Sequence, residues 1–452
     1  MILALLSQVT VLAPTLGIVL AGIFLAVRHQ RLFLALFMLL TALDNTRDFA
    51  PNIVATLAGV SVYPQDVMTV ICAGAALARI GQWRLRGVAR TAALVLAGLV
   101  GLGVVSWILV FGVQEGTNSW RQEVLKVALL FYTTTRLRAW SWTDLWVIFV
   151  WPAVVVALAS VLGILWFGFG SNSASVQVNG VMEVARPVWA AGALLMLIGL
   201  WIAVLADGRG TLLRVLVISL LGAMVLLTQV RSVWVAAILG GLAWWLVPRI
   251  RQRERSSGLG GVSRTILIVI GAMAVGIVAT SISTLGQSAS NDATWQWRFA
   301  RWVKSMSIPR SWLEWMAGSA LGPTPVSTPG TFPTFAHSVY VDAIEKTGFI
   351  GLVALLCIVI AVGITHRPPW VGPLGSIVCV SFLGYGTAYQ VPPWGWMLMG
   401  ILLSSALVEP PRPAPPEVTR DALPGRTGQP EPVEPVVDGV WRRQPPADLV
   451  PG

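Results

Sequence analysis

A small set of side chains in the second half of the sequence has the types and order to handle an anion and a proton. They are Arg231, Arg298, Arg301 and His337. Guanidinium groups present forked N–H donors that match phosphate oxygens in pairs, so arginine suits anionic groups. An imidazole titrates near pH 6.5 when unperturbed, which suits a base working near neutrality. The chain has 3 histidines, and His29 and His366 sit in short Arg-flanked turns. His337 is therefore the histidine in a segment large enough to build a site. The bland alternative is that it caps the helix that follows. Arg231-Ser232 falls between two apolar runs with almost no loop, so Arg231 is either a snorkelling arginine at a helix end or an anion site. On a helix Arg298 and Trp302 lie one turn apart, with Arg301 beside them. Glu345, after His337 in the run toward Gly348, either orients the imidazole or secures helix packing, and the structural role is the better fit.

The elements that must position these groups follow from composition. The chain has 452 residues, 56% hydrophobic and only 11% charged, with a mean hydropathy of +0.75. Soluble domains average about a quarter charged residues. Repeated apolar runs of about 20 residues make this an all-α integral membrane protein with about 12–14 transmembrane helices. The net charge of +11 comes almost wholly from arginine, the lysines being Lys126, Lys304 and Lys346. Basic residues held on the cytoplasmic side explain that charge better than nucleic acid does. Cys72, Cys357 and Cys379 all fall in apolar runs and read as small core residues.

Hydropathy predicts helices at about 9–27, 31–44, 65–81, 91–113, 122–135, 143–168, 187–206, 211–229, 232–248, 263–284, 348–365, 370–389 and 392–408. With these, the basic turns at Arg28/Arg31, Arg79–Arg90, Arg136/Arg138, Arg209/Arg214, Arg249–Arg264 and Arg367 all fall on one side, which is then cytoplasmic. The other side holds 45–64, 114–121, 169–186, the Arg231 turn and a long loop at 285–347. The organisation is thus 1–284 in the membrane, 285–347 outside with the site, 348–408 in the membrane, and a Pro-rich cytoplasmic tail at 409–452 too poor in apolar residues to fold. Among the 22 tryptophans, Trp151, Trp201, Trp244, Trp245, Trp394 and Trp396 read as headgroup anchors. Trp295, Trp297, Trp302, Trp312 and Trp315 lie in the long loop, where they either stack on sugars or rest the loop on the bilayer.

The stretch His337-Ser338, its apolar-aromatic continuation, Glu345, Gly348 and Gly351-Leu352 at a helix start resembles the His-loop signature of the O-antigen ligase and polymerase family of bacterial membrane glycosyltransferases. The Arg231-Ser232 turn is similar to that family's Arg turn between two helices. Arg298, Trp302, Gly318, Gly322 and His337 follow its order over roughly residues 220–352, with the Pro-rich spacer from Pro323 to Pro333 as a departure.

The resemblance implies a multi-pass protein of the bacterial cytoplasmic membrane with an extracytoplasmic site. The implied partners are the lipid bilayer, a polyprenyl-diphosphate-linked glycan donor and a glycan or glycolipid acceptor. Arg231, Arg298 and Arg301 would bind the diphosphate and His337 would accept the proton of the acceptor hydroxyl, with Glu345, Trp302 and Ser232 in support. The implied transfer is inverting and uses no metal or cofactor. In the sequence itself, Asp292, Glu314, Asp342 and Glu345 form no paired-carboxylate motif near the arginines. A transporter or flippase of lipid-linked or hydrophobic substrates is the competing class. Transporters place charge mid-membrane at broken helices, whereas polar groups here collect at one surface.

Overall fold

The computed structural model describes residues 16–44, 55–57, 60–62, 64–83, 85–135, 140–167, 177–178, 181–182, 188–206, 211–228, 230–254, 289–323, 338–365 and 371–405. The expected helix at 263–284, the tail at 409–452 and His337 itself lie outside these residues.

The protein is an α-helical membrane protein. Its helices are α1 (Leu16–Arg28), α2 (Gln30–Asp44), α3 (Pro64–Ala78), α4 (Gly87–Thr133), α5 (Trp142–Leu145) running through a π turn at Trp146–Val150 into α6 (Trp151–Phe167), α7 (Ala190–Leu205), α8 (Thr211–Leu227) and α9 (Arg231–Glu254). They continue with α10 (Ala289–Ser307), α11 (Trp312–Ala317), a 3-10 turn at Gly318–Leu321, α12 (Val339–Ile364), α13 (Val371–Gly386) and α14 (Pro393–Ser405). Two small antiparallel hairpins interrupt the helical pattern, β1 (Ala55–Leu57) with β2 (Val60–Val62) and β3 (Gln177–Val178) with β4 (Val181–Met182).

The 47 residues of α4 would reach about 70 Å as a straight rod, over twice the hydrocarbon core. The helix instead reverses at Gly112, whose φ of +83° few other residues adopt. The returning arm lays the buried Trp120 directly over Gly103, where any side chain would collide with the indole. The expected loop at 114–121 is therefore helical, and the reversal occurs a few residues earlier, at the glycine. The arms Gly87–Phe111 and Val113–Thr133 make a helical hairpin.

Two ends of the bundle are rich in polar contacts. At one end Arg31 Nε approaches Asp144 Oδ1 at 3.6 Å. There Trp83 Nε1 donates to Thr134 Oγ1 at 3.0 Å, and Arg214 Nε donates to the carbonyl of Ala203 at the close of α7 at 2.9 Å. At the other end Arg121 pairs with Asp66 at 2.8 Å, and Trp107 Nε1 donates to the Ser319 carbonyl at 3.1 Å. Between them lies an apolar interior centred on Trp146, Trp394, Phe149 and Phe382.

Trp394 and Trp396 differ from their expected role at the headgroups. They are 0% and 3% exposed, with Trp394 packed edge-on to Phe149 and Phe382 at 6.4 and 6.3 Å between ring centroids. The first turn of α14 is roofed by neighbouring helices, so its indoles fill the core. Trp151, Trp244 and Trp245 remain exposed.

Candidate active site

The long segment expected as a loop contains α10 and α11, and the helical spacing of α10 sorts its residues by face. Arg298, Arg301, Trp302 and Ser305 share the more enclosed side, while Phe299 and Val303 are exposed on the other. The Arg298 guanidinium lies over the Tyr389 ring at 4.9 Å to the centroid, and Nη2 donates to Tyr389 Oη at 3.4 Å. Tyr389 in turn stacks on the buried Tyr385 at 5.3 Å between centroids. The Nε of Arg298 is buried without a hydrogen-bond partner among the described residues. The guanidinium is thus held by an aromatic face on one side, with one enclosed donor unpaired among the described residues.

The residue that follows His337 is attached to the same stretch. Ser338 is buried and its Oγ donates to the Gly386 carbonyl at 3.3 Å. Two residues further, Tyr340 Oη donates to the Leu383 carbonyl at 2.6 Å. The end of α13 and the turn after it, residues 383–389, therefore hold both Arg298 and the chain leaving His337.

Arg231 opens α9 and is exposed, while Val230 and Ser232 on either side are buried. Trp234 Nε1 donates to the Val225 carbonyl at 3.1 Å, which closes the turn between α8 and α9. The two helices α9 and α13 run antiparallel. A Cβ on Gly384 would meet Val235 Cγ1 at 3.6 Å, Ser381 Oγ donates to the Ala236 carbonyl at 3.1 Å, and a Cβ on Gly240 would meet Ile377 Cγ2 at 3.2 Å. In that register the first turn of α9, with Arg231, lies toward the Tyr385–Tyr389 end of α13.

Glu345 joins α12 to α10 by accepting a hydrogen bond from Ser305 Oγ. Arg310 Nη2 donates to the same hydroxyl at 3.2 Å and to the Ser305 carbonyl at 2.9 Å. Arg310 also covers the Trp315 ring at 4.8 Å. Burial draws both the Arg301 and Arg310 guanidinium pKa values below the usual arginine range, and the Glu345 charge opposes it. Below Glu345 the helix breaks at Gly348, with φ of +67°. A side chain at Gly348 would overlap the backbone of Met316 and Ala317, and one on Gly318 would meet Gly348 N at 2.6 Å. Two glycines thus let two backbones cross in contact, which fixes α11 against the start of the apolar half of α12.

Sequence reasoning missed Tyr389, Ser305, Arg310 and a buried ion chain beside them. Glu123 Oε1 accepts from Lys126 at 2.7 Å and from Lys346 at 3.4 Å, and Lys346 lies 3.9 Å from Asp342. The four side chains are only 4–17% exposed. A signal was present, because two of the chain's few lysines stand in apolar helices with acids three or four residues before them. The chain ties the returning arm of α4 to the first turns of α12. No group of three or more His, Cys, Asp or Glu side chains suited to a metal occurs among the described residues.

Residues 215–356 match the family model described as O-antigen ligase. The matched segment runs from α8 into α12 and includes Arg231, Arg298, Arg301, Trp302, His337 and Glu345. No curated protein matches the chain, and no solved structure does.

Proposed function

We propose that this chain, a member of the O-antigen ligase family through residues 215–356, transfers glycan from a polyprenyl-diphosphate carrier to a glycan or glycolipid acceptor. The transfer takes place at the extracytoplasmic face of the bacterial cytoplasmic membrane. The observation that carries the reading is the seating of Arg298 on Tyr389, at the same end of α13 where Ser338 is anchored.

The chemistry needs a cation where charge grows on the departing diphosphate and a base for the incoming hydroxyl. The acceptor oxygen attacks the anomeric carbon from the face opposite the diphosphate, so a new C–O bond forms with inversion as the old C–O–P link breaks. The electron pair of that link leaves on the diphosphate, where Arg298 and Arg231 offset it, with Arg301 alongside. His337 takes the hydroxyl proton. Glu345 acts through Ser305 to keep α10 in register with α12, which makes it a positioning residue. Trp302 and Ser232 support the arginines on their own helices. The ring stack under Arg298 limits its rotamers, so the fork is oriented before the donor arrives.

The test is to incubate the purified protein with a polyprenyl-diphosphate glycan and an acceptor, then size the products. A ladder of chain lengths identifies polymerisation and a single shift of the acceptor identifies ligation. Intact donor after long incubation with every acceptor class, from active-site-intact protein, would refute the reading.

A further inference from the structure

The short helix α11 exposes a face that is apolar without interruption. Trp312 is 71% exposed, Leu313 48% and Met316 36%. The polar groups nearby hold the turn that enters α11. Ser311 Oγ accepts from Glu314 N at 3.2 Å and Glu314 Oε2 accepts from Ser311 N at 2.6 Å, closing a capping box. Arg310 is committed to Ser305 and Trp315. At about 100° per residue Glu314 lies on the side of α11 away from Trp312, Leu313 and Met316, so no carboxyl or hydroxyl of the helix stands among them to hold a sugar.

What lies next to this face identifies what covers it. Trp315 of α11 stacks on Phe349 at 5.6 Å between centroids. Phe349, Ile350 and Val353 are 40%, 43% and 58% exposed on a helix long and apolar enough to cross a membrane. That stretch, Phe349 to Ile364, rises about 24 Å against a hydrocarbon core of about 30 Å, so its first residues lie near the core boundary. The contact of Gly348 with Met316 and Ala317 pins the end of α11 at that boundary. A helix of 6 residues then keeps Trp312 within about 9 Å of it, whatever its tilt. The exposed face is continuous with a lipid-facing one, at the depth where indoles settle.

We infer that α11 is an interfacial anchor whose Trp312, Leu313 and Met316 face rests in the outer part of the bilayer, with lipid as its partner. The anchoring holds the segment between α10 and α12 at headgroup depth through Arg310, Ser305 and the glycine crossing. It stands whether or not the chain transfers glycan.

The experiment uses the full chain with Cys72, Cys357 and Cys379 replaced by Ala, and a fluorophore on Trp312→Cys or, as a second position, Leu313→Cys. The labelled protein is reconstituted into phosphatidylethanolamine–phosphatidylglycerol vesicles that carry spin-labelled lipids. Headgroup and carbon-5 spin labels should quench both positions at least about twice as strongly as a carbon-12 label, and aqueous iodide should quench weakly. Strong iodide quenching without lipid quenching would overturn the inference. So would quenching that is relieved by soluble oligosaccharide, which makes the face a glycan site, or energy transfer between labelled copies, which makes it a self-contact. None of these readouts depends on turnover, so a negative result here leaves the proposed reaction untouched.

Discussion

Glu123→Gln should destabilise the protein by about 3 kcal/mol, and the reason lies in what it leaves behind. Glu123 is the shared acceptor of Lys126 at 2.7 Å and Lys346 at 3.4 Å. Lys346 keeps Asp342 at 3.9 Å as a second partner. Among these residues Lys126 has no other acid in ion-pair range, and its side chain is 4% exposed. Removing one partner of a buried pair costs about 3–5 kcal/mol, mostly because the other charge stays buried. The lower end applies here because only one of the two lysines is stranded. Thermal unfolding of the detergent-purified protein, followed by tryptophan fluorescence, measures the change. Pairing Glu123→Gln with Lys126→Met removes the stranded charge and should recover at least half of the loss. Two results refute the reasoning: a single substitution within about 0.5 kcal/mol of the unmodified protein, or a double variant whose loss is the sum of the two singles.

Gly348→Ala should cost at least about 2 kcal/mol, since it combines a left-handed backbone with overlap on Met316, whereas Gly98→Ala, in open space on α4, should be neutral or slightly stabilising; the pair of melting temperatures checks this. Arg298→Lys keeps the charge but loses the fork, so kcat/KM for the lipid-linked donor should fall about 10–100-fold while expression is unchanged. Tyr389→Phe retains the ring under Arg298 and should lose less than about 5-fold, while Tyr389→Leu should approach the Arg298→Lys loss; steady-state kinetics on one donor separates them. His337→Ala should still bind donor but transfer it about 10²–10⁴-fold more slowly, as read by single-turnover transfer beside a donor-binding titration.

The spans were legible because hydropathy depends only on local sequence. Every expected span within the described residues has a helical counterpart, and the expected Arg231 turn is the junction of α8 and α9. The reversal is expected at 114–121 because the polar run from Gln114 to Ser119 reads as a loop, whereas those residues are helical and the chain turns at Gly112, which only its φ reveals. The burial of Trp394 and Trp396 was hidden for a related reason. An indole at a helix end looks the same in sequence whether that end meets lipid or Phe149 and Phe382. Of the candidate site, the arginines and Glu345 could be nominated from residue type and order. Their partners could not, because Tyr389 meets Arg298 across 91 residues and Lys346 meets Glu123 across 223. Such pairs depend on which helices pack together, and no local pattern encodes that.

The most direct test of the proposed reaction follows both halves of the donor at once. Purified protein in proteoliposomes receives polyprenyl-diphosphate glycan, labelled in the glycan, together with acceptor. The account predicts that glycan on the acceptor and free polyprenyl diphosphate appear in equal amounts, at a rate that Arg298→Lys and His337→Ala both reduce. Labelled glycan that crosses the bilayer still attached to its lipid, with no polyprenyl diphosphate released, would contradict it and make the chain a transporter.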